Sequence, residues 1–203
     1  MRPGNKNFSE LDLQGADFSS LDLSDAVFSN SNLESANFEG AELSNADFEG
    51  ADLSKAKFRD ANLEDASFRH VRAINIDLSQ NDLTNVELNH GNFTLGQFEY
   101  SELNGKTIFG INLYNANLQN ALIGKSMFVN ASLVDSNLCE ADLRQTTFYK
   151  ADTLLRRRLL IARAAAESRR GQGHRASGAR YVPNKPVRVG IGCSGPVAAG
   201  SLA

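Results

Sequence analysis

The chain has no tryptophan, only 4 prolines and only 2 cysteines among 203 residues. Cys139 and Cys193 match no metal-binding or redox spacing. They point to no disulfide framework, which is the pattern of a reducing compartment. No apolar run approaches the about 20 residues that a membrane-spanning helix needs. The first residues, Met1 to Phe8, lack the apolar core of a secretory signal. The expected location is therefore the cytoplasm. Also missing are a Gly-rich phosphate loop, a Ser/His/Asp set and a Cys/His pair. These gaps argue against an enzyme and imply no cofactor and no resident metal.

Charge is abundant but unevenly placed. Residues 1–153 hold 23 Asp and Glu against 11 Lys and Arg, whereas residues 154–203 hold one acid, Glu167, against 10 bases. The overall net charge of −3 conceals an acidic body and a basic tail.

The body repeats every five residues. Phe8, Leu13, Phe18, Leu23, Phe28, Leu33, Phe38, Leu43, Phe48, Leu53, Phe58, Leu63 and Phe68 follow one another without a gap. The series continues in register to Phe148, and of its 29 positions 28 are Leu, Phe or Ile, Ala73 being the exception. Two residues before each of these sits a small residue, as at Ala16, Ala26, Ala36, Ala46, Ala51 and Ala141. The remaining places hold mostly Asp, Asn, Ser, Glu, Gly and Gln. A period of five fits neither a helix nor a strand. It requires a chain that bends regularly and points one large and one small side chain inward each time. Turns rich in Asn, Asp, Ser and Gly suit such bends. Up to Phe68 the large residue alternates Phe, Leu, Phe, Leu, so the coil has an even number of sides.

This motif, A-(D/N)-(L/F)-x-x, resembles the pentapeptide-repeat family over about three quarters of the chain. The resemblance implies an all-β solenoid: a right-handed, four-sided parallel β-helix with 20 residues per coil. Residues 8–148 would then form about seven coils and a rod of about 34 Å at ~4.8 Å per coil. It also implies a bacterial source. The expected organisation is a short lead-in at 1–7, the β-helix at 8–153, a C-terminal helix at 154–170 and a disordered Gly/Ala/Arg-rich tail at 171–203. The helix would be capped by Asp152 or Thr153 and stopped by Gly171. In the family such an element caps the rod or joins two copies, which gives the expectation of a homodimer through this end.

Three features of the surface stand out on a 20-residue coil. One side carries Asp22, Glu42, Asn62, Asp82, Glu102, Leu122 and Asp142 in a column, with Asp25, Glu64 and Asp65 beside it. Like charges so close repel, a cost that a merely structural surface has no need to carry. B-DNA also displays a regular line of negative charge. Fluoroquinolone-resistance members of the family act on DNA gyrase as DNA mimics, so the resemblance makes a type II topoisomerase a candidate partner. The chain lacks the projecting loops of many such members. The second feature is a set of apolar residues at outward places: Phe109, Val129 and Tyr149 on one side, and Ile74, Tyr114 and Val134 near the adjacent one. A patch of that kind marks a docking or dimer surface, and makes a targeting or assembly scaffold, such as a bacterial effector or regulator, the alternative function. The third is irregularity from 71 to 110, where Lys106 occupies a small position between Gly105 and Gly110. A buried lysine is costly unless paired, so a local distortion that lets it reach water is expected. His70 and His90, 20 residues apart, should stack at one corner, but two imidazoles beside Arg69 and Arg72 are too few and too positively surrounded for a metal site. The inward register is tested by comparing Ala51→Leu with Ser54→Leu, the first expected to be the more disruptive.

Overall fold

The computed structural model describes residues 6–152. The chain winds as a parallel β-helix. Every β-bridge is parallel and joins residues 20 apart, from Asn7↔Val27 to Leu122↔Asp142. The coil is therefore 20 residues long and has four sides, one pentapeptide to each. Side 1 carries Phe8 and Phe28 at its centre, side 2 Leu13 and Leu33, side 3 Phe18 and Phe38, and side 4 Leu23 and Leu43. Three stretches qualify as strands: β1 (Thr107–Phe109), β2 (Met127–Val129) and β3 (Thr147–Tyr149). They stack in the order β1-β2-β3 on side 1. Elsewhere each side contributes a single bridge residue before the chain turns.

The turns explain the period. Every corner from residue 10 to residue 150, except Asn85, has a positive φ. The amide of the next small residue closes many of these turns onto the preceding large residue, as in Ala16 N–H to Leu13 O at 3.0 Å. Positive φ at the third turn residue is what a type II turn demands, and Gly and Asn accept it most readily. Gly15, Gly40, Asn30 and Asn45 fill such corners.

The large residues make the core. Phe28, Phe38, Phe48, Phe58 and Phe68 are fully buried, as are Ala36, Ala41, Ala46 and Ala51. Rings on one side stack on the next coil, with centroids 4.9 Å apart for Phe8–Phe28 and 4.8 Å for Phe38–Phe58. Rings on opposite sides meet edge to face, as in Phe28–Phe38 at 5.6 Å and 83°. Each such aromatic pair adds about 0.5–1.5 kcal/mol beyond area burial. Two interlocked phenylalanine columns thus fill the N-terminal half. At Phe93 and Phe98 phenylalanine falls on adjacent sides, and the preceding small positions become Gly91 and Gly96. A Cβ at Gly91 would lie 2.3 Å from the Phe93 ring, and one at Gly96 would lie 2.8 Å from the Phe98 ring.

Ser54, the milder site of the expected comparison with Ala51, does not face outward. It is buried, with its hydroxyl accepting from Arg72 at 3.1 Å, because the Arg72 side chain folds down the coil onto Asp52 and Ser54. Glu49, exposed on the side before Ala51, is the proper outward comparison.

The ladder is interrupted in one region. Side-4 residues 82–85 make no backbone bond to residues 61–65, although Asn62 bonds to Ala41 and Glu102 bonds to Asn81 in the regular way. At the next corner Asn85, Leu88 and Thr107 likewise lack their rungs. Two side chains take the carbonyls left over. Asn81 Nδ2 donates to Phe58 O at 2.9 Å and to Ala61 O at 3.3 Å, and Lys106 Nζ donates to Thr84 O at 2.9 Å. The distortion expected around Lys106 is present, but the half-buried ammonium is satisfied by a main-chain carbonyl. Burial holds its pKa below 10.5, with Glu87 and Asp82 pulling the other way. The expected C-terminal helix at 154–170 and tail at 171–203 lie outside the described residues.

Candidate functional site

Asp22, Glu42 and Asn62, and then Asp82, Glu102, Leu122 and Asp142, follow one another as ladder partners on side 4, and much of the acidity there has a local cause. A residue just before the large one sits on the ladder with its side chain outward. There an Asp or Asn Oδ1 accepts the amide two residues on, as in Asp17–Ser19 at 3.1 Å, Asp82–Thr84 at 2.9 Å and Asp142–Arg144 at 3.1 Å. This satisfies a donor at the turn that the ladder does not use. The next coil often supplies an asparagine that donates back to the carboxylate: Asn32 to Asp12 at 2.9 Å, Asn37 to Asp17 at 3.2 Å and Asn62 to Glu42 at 3.0 Å. Acid and amide alternate, which relieves the repulsion that a pure acid column would suffer.

The members of the side-4 column therefore differ. Asp22 pairs with Lys6 at 3.0 Å, and that hydrogen bond, with the Ser24 amide, lowers its pKa to about 2. Asp142 is gripped by Arg144, which lowers its pKa too. Leu122 interrupts the column between Glu102 and Asp142 and is 39% exposed. Glu42 and Glu102 have side chains too long for the turn-amide bond and do not make it. Asp25, Glu42, Glu64, Asp65, Asp82 and Glu102 are all exposed. From Asp25 to Glu102 side 4 carries no Lys or Arg, whereas side 1 has Arg69, side 2 has Lys55 and Arg72, and side 3 has Lys57 and Arg59. On side 2 these bases are paired, Lys55 with Glu34 at 2.6 Å and Arg72 with Asp52 at 2.5 Å. Side 4 of these coils thus carries acids and no base of its own, although Asn62 donates to Glu42 and Lys106 reaches in from side 1 to Thr84 O. An open cavity of ≈260 Å³ indents it where the ladder is interrupted, between Asn62–Glu64 and Asp82–Asn85. A second, of ≈490 Å³, lies farther along the same side against Leu122, Gly124 and Asp142.

The apolar set divides as well. Phe109, Val129 and Tyr149 are register partners on β1, β2 and β3. Phe109 and Tyr149 are exposed, and Met127 adds to the same side. Tyr114 and Val134 neighbour each other on side 2, but Thr94 separates them from Ile74. The sequence reading missed Leu95 and Tyr100, exposed at corners with positive φ where a polar residue was to be expected. It also missed Leu11 and Leu21, which occupy small positions in the first described coil and are 46% and 48% exposed.

His70 and His90 do stack, with centroids 5.1 Å apart and planes 8° from parallel. Parallel stacked rings direct their nitrogen lone pairs alongside each other, so the pair does not converge on one ion. Among the described residues no three His, Cys, Asp or Glu side chains gather as metal ligands. Cys139 is disulfide-bonded, which removes the cysteine argument for a reducing compartment. Among the described residues no helix is long and apolar enough to cross a membrane.

A four-sided coil with Leu or Phe at each side's centre and a small residue two places earlier defines a class of repeat protein. The model of the family described as pentapeptide repeats matches in 8 copies, over residues 5–30, 22–60, 61–95 and 111–152. The chain belongs to the pentapeptide-repeat family, and the right-handed solenoid comes with that membership. Among solved structures it is similar to a trypsin-treated form of QnrB1, a plasmid-mediated fluoroquinolone resistance protein, at 17% identity over 76% of this chain and 96% of that one, with a TM-score of 0.42. It is similar to a pentapeptide repeat protein from the Arabidopsis thaliana thylakoid lumen at 27% identity over 77% of each chain, with a TM-score of 0.34. It is also similar to HetL of the cyanobacterium Nostoc, a protein involved in heterocyst differentiation regulation, at 25% identity over 71% of each chain, with a TM-score of 0.27. No curated protein matches.

Proposed function

We propose that this protein is a non-enzymatic interaction module whose acidic side 4 docks against a basic protein surface. One observation carries the reading: the run from Asp25 to Glu102 has no Lys or Arg on side 4, while the three other sides of the same coils each hold at least one. In its most concrete form the rod is a DNA mimic, and the partner is the DNA-binding groove of gyrase or another type II topoisomerase. A regular line of acids on a stiff body supplies the electrostatic footprint that such a groove takes. The test is a gyrase supercoiling assay with the full chain at two salt concentrations. Inhibition or protection from fluoroquinolone that weakens with salt, and is lost in a Glu42→Gln, Glu64→Gln, Asp65→Asn, Glu102→Gln variant, supports the DNA-mimic form. No effect at micromolar protein removes it.

A second reading has its own observation. Among the described residues, all exposed large hydrophobic side chains but Leu11 and Leu21 fall between Leu95 and Tyr149. A targeting or assembly scaffold, or a homodimer through the C-terminal end, would use that half. Phe109→Ser with Tyr149→Ser then abolishes binding or dimerisation and leaves salt-dependent docking through side 4 intact.

A further inference from the structure

We infer that residues 82–88 form a seam that opens locally, independently of the rest of the rod, and that Asn81 and Lys106 hold it apart. Among the described residues, rungs join successive coils on all four sides from residue 6 to residue 150 except here. The break is contiguous. It runs along side 4 between residues 60–65 and 79–84, rounds the corner at Asn85, and continues on side 1 between residues 85–88 and 104–107. Asn85 is also the one corner between residues 10 and 150 without positive φ, so backbone conformation and hydrogen bonding fail together.

The cause is competition for carbonyls. Asp82 N–H would regularly donate to Ala61 O, but Asn81 Nδ2 donates there instead. Asp65 N–H would regularly donate to Thr84 O, but Lys106 Nζ donates there. Phe109 N–H, across the same seam, donates to the Asn89 side chain at 2.8 Å. Asn81 and Lys106 stand at small positions. The flanking small positions hold Ala61 and Ser101 on side 4, and Val86 and Ser126 on side 1. The two serines bond only the turn carbonyls of Phe98 and Leu103 and leave the ladder carbonyls free, so those rungs close. The arrangement is poorly paid in hydrogen bonds: Asn81 Oδ1 is buried without a partner, and the amides of Leu63 and Asp82 have no partner among the described residues. Few bonds and an adjoining cavity of ≈260 Å³ are the features of a segment at the low end of local stability.

The seam cuts the acidic face between Glu64 and Asp82. Its use in docking, where it would let the two halves of that face settle separately on a partner, rests on the reading proposed above. The test does not involve the partner, so either idea stands or falls alone. Hydrogen exchange of the full chain, read residue by residue, compares amides that are still bonded. Leu83, Val86 and Glu87 match Leu43, Ala46 and Asp47, which lie 40 residues earlier on the same sides and are also bonded. The seam requires the first set to exchange on the order of 10-fold faster or more, and equal protection overturns it. An Asn81→Ala, Lys106→Ala variant restores alanine at both wedges. It should slow exchange at Leu63, Asp82 and Thr107 and raise the thermal midpoint. Unchanged exchange at those amides means that the two side chains do not hold the seam open. If the double variant misfolds, Lys106→Met alone gives the same reading at Asp65, whose acceptor it frees.

Discussion

At the scale of the residue, the acidic character of this surface has two origins. Asp and Asn recur before each large residue because a short side chain with an acceptor oxygen bonds the turn amide. Asn serves that bond as well as Asp does. Asp17→Asn should therefore leave stability unchanged, while Asp17→Ala, which removes the turn bond, should lower the denaturant midpoint. Glutamate cannot make the bond, so Glu42 and Glu102 are the column members without a turn to explain them. The Lys6–Asp22 pair adds a pH dependence. Its carboxyl titrates lower in the folded chain, so its stabilising contribution is complete above the ordinary value of 3.8 and disappears as pH falls through about 2. Comparing thermal midpoints of the native chain and Asp22→Asn across that window checks the sign. The glycines before Phe93 and Phe98 are placed for space. Gly96→Ala would set a methyl 3.0 Å from Phe93 O, a backbone atom that cannot step aside. Overpacking of this kind costs about 1–3 kcal/mol.

At the scale of the element, the coil was legible in advance. An unbroken five-residue period requires a regular turn, and the Phe/Leu alternation becomes the interlocked ring columns because it places rings on opposite sides. What remained unread depends on side chains that leave their own pentapeptide. Ser54 lies under an arginine from the next coil, and Asn81 and Lys106 reach carbonyls more than 20 residues away in sequence. Periodicity locates Lys106 as an exception, and Gly105 and Gly110 hint at distortion, but no local pattern says which carbonyl it takes. The acid column was legible as a column. Its relief by Asn62 and by Arg144 was visible only as composition. The register makes one sharp prediction. Ala51→Leu, at a fully buried position, should lower the thermal midpoint far more than Glu49→Leu, and similar midpoints would contradict the inward assignment.

At the scale of the whole molecule, the rod is acidic as far as Glu102, whereas residues 103–152 balance four acids with four bases and display aromatic residues. In the first described coil the amides of Asp12, Asp17 and Asp22 have no ladder partner among the described residues. An open ladder edge is a template for unwanted pairing. Here Leu11 and Leu21 lie at that end, and the three carboxylates surround it. Charge around an edge discourages stacking end to end. Replacing Asp12, Asp17 and Asp22 by Asn keeps the turn bonds but removes the charge, and should promote self-association at low salt, seen by light scattering.

The uniform 20-residue coil has a genetic consequence. Cutting out or duplicating 20 residues changes only the length of the rod, and every downstream side chain keeps its bearing. Cutting out five also preserves the inward pattern and folds just as plausibly, yet it swings everything beyond the cut by a quarter turn. Phe109, Val129 and Tyr149 would then leave side 1 for its neighbour, while the acids before the cut stay where they are. The angle between the two surfaces is thus written in the chain as a remainder on division by 20, a quantity that small insertions can reset without touching the core.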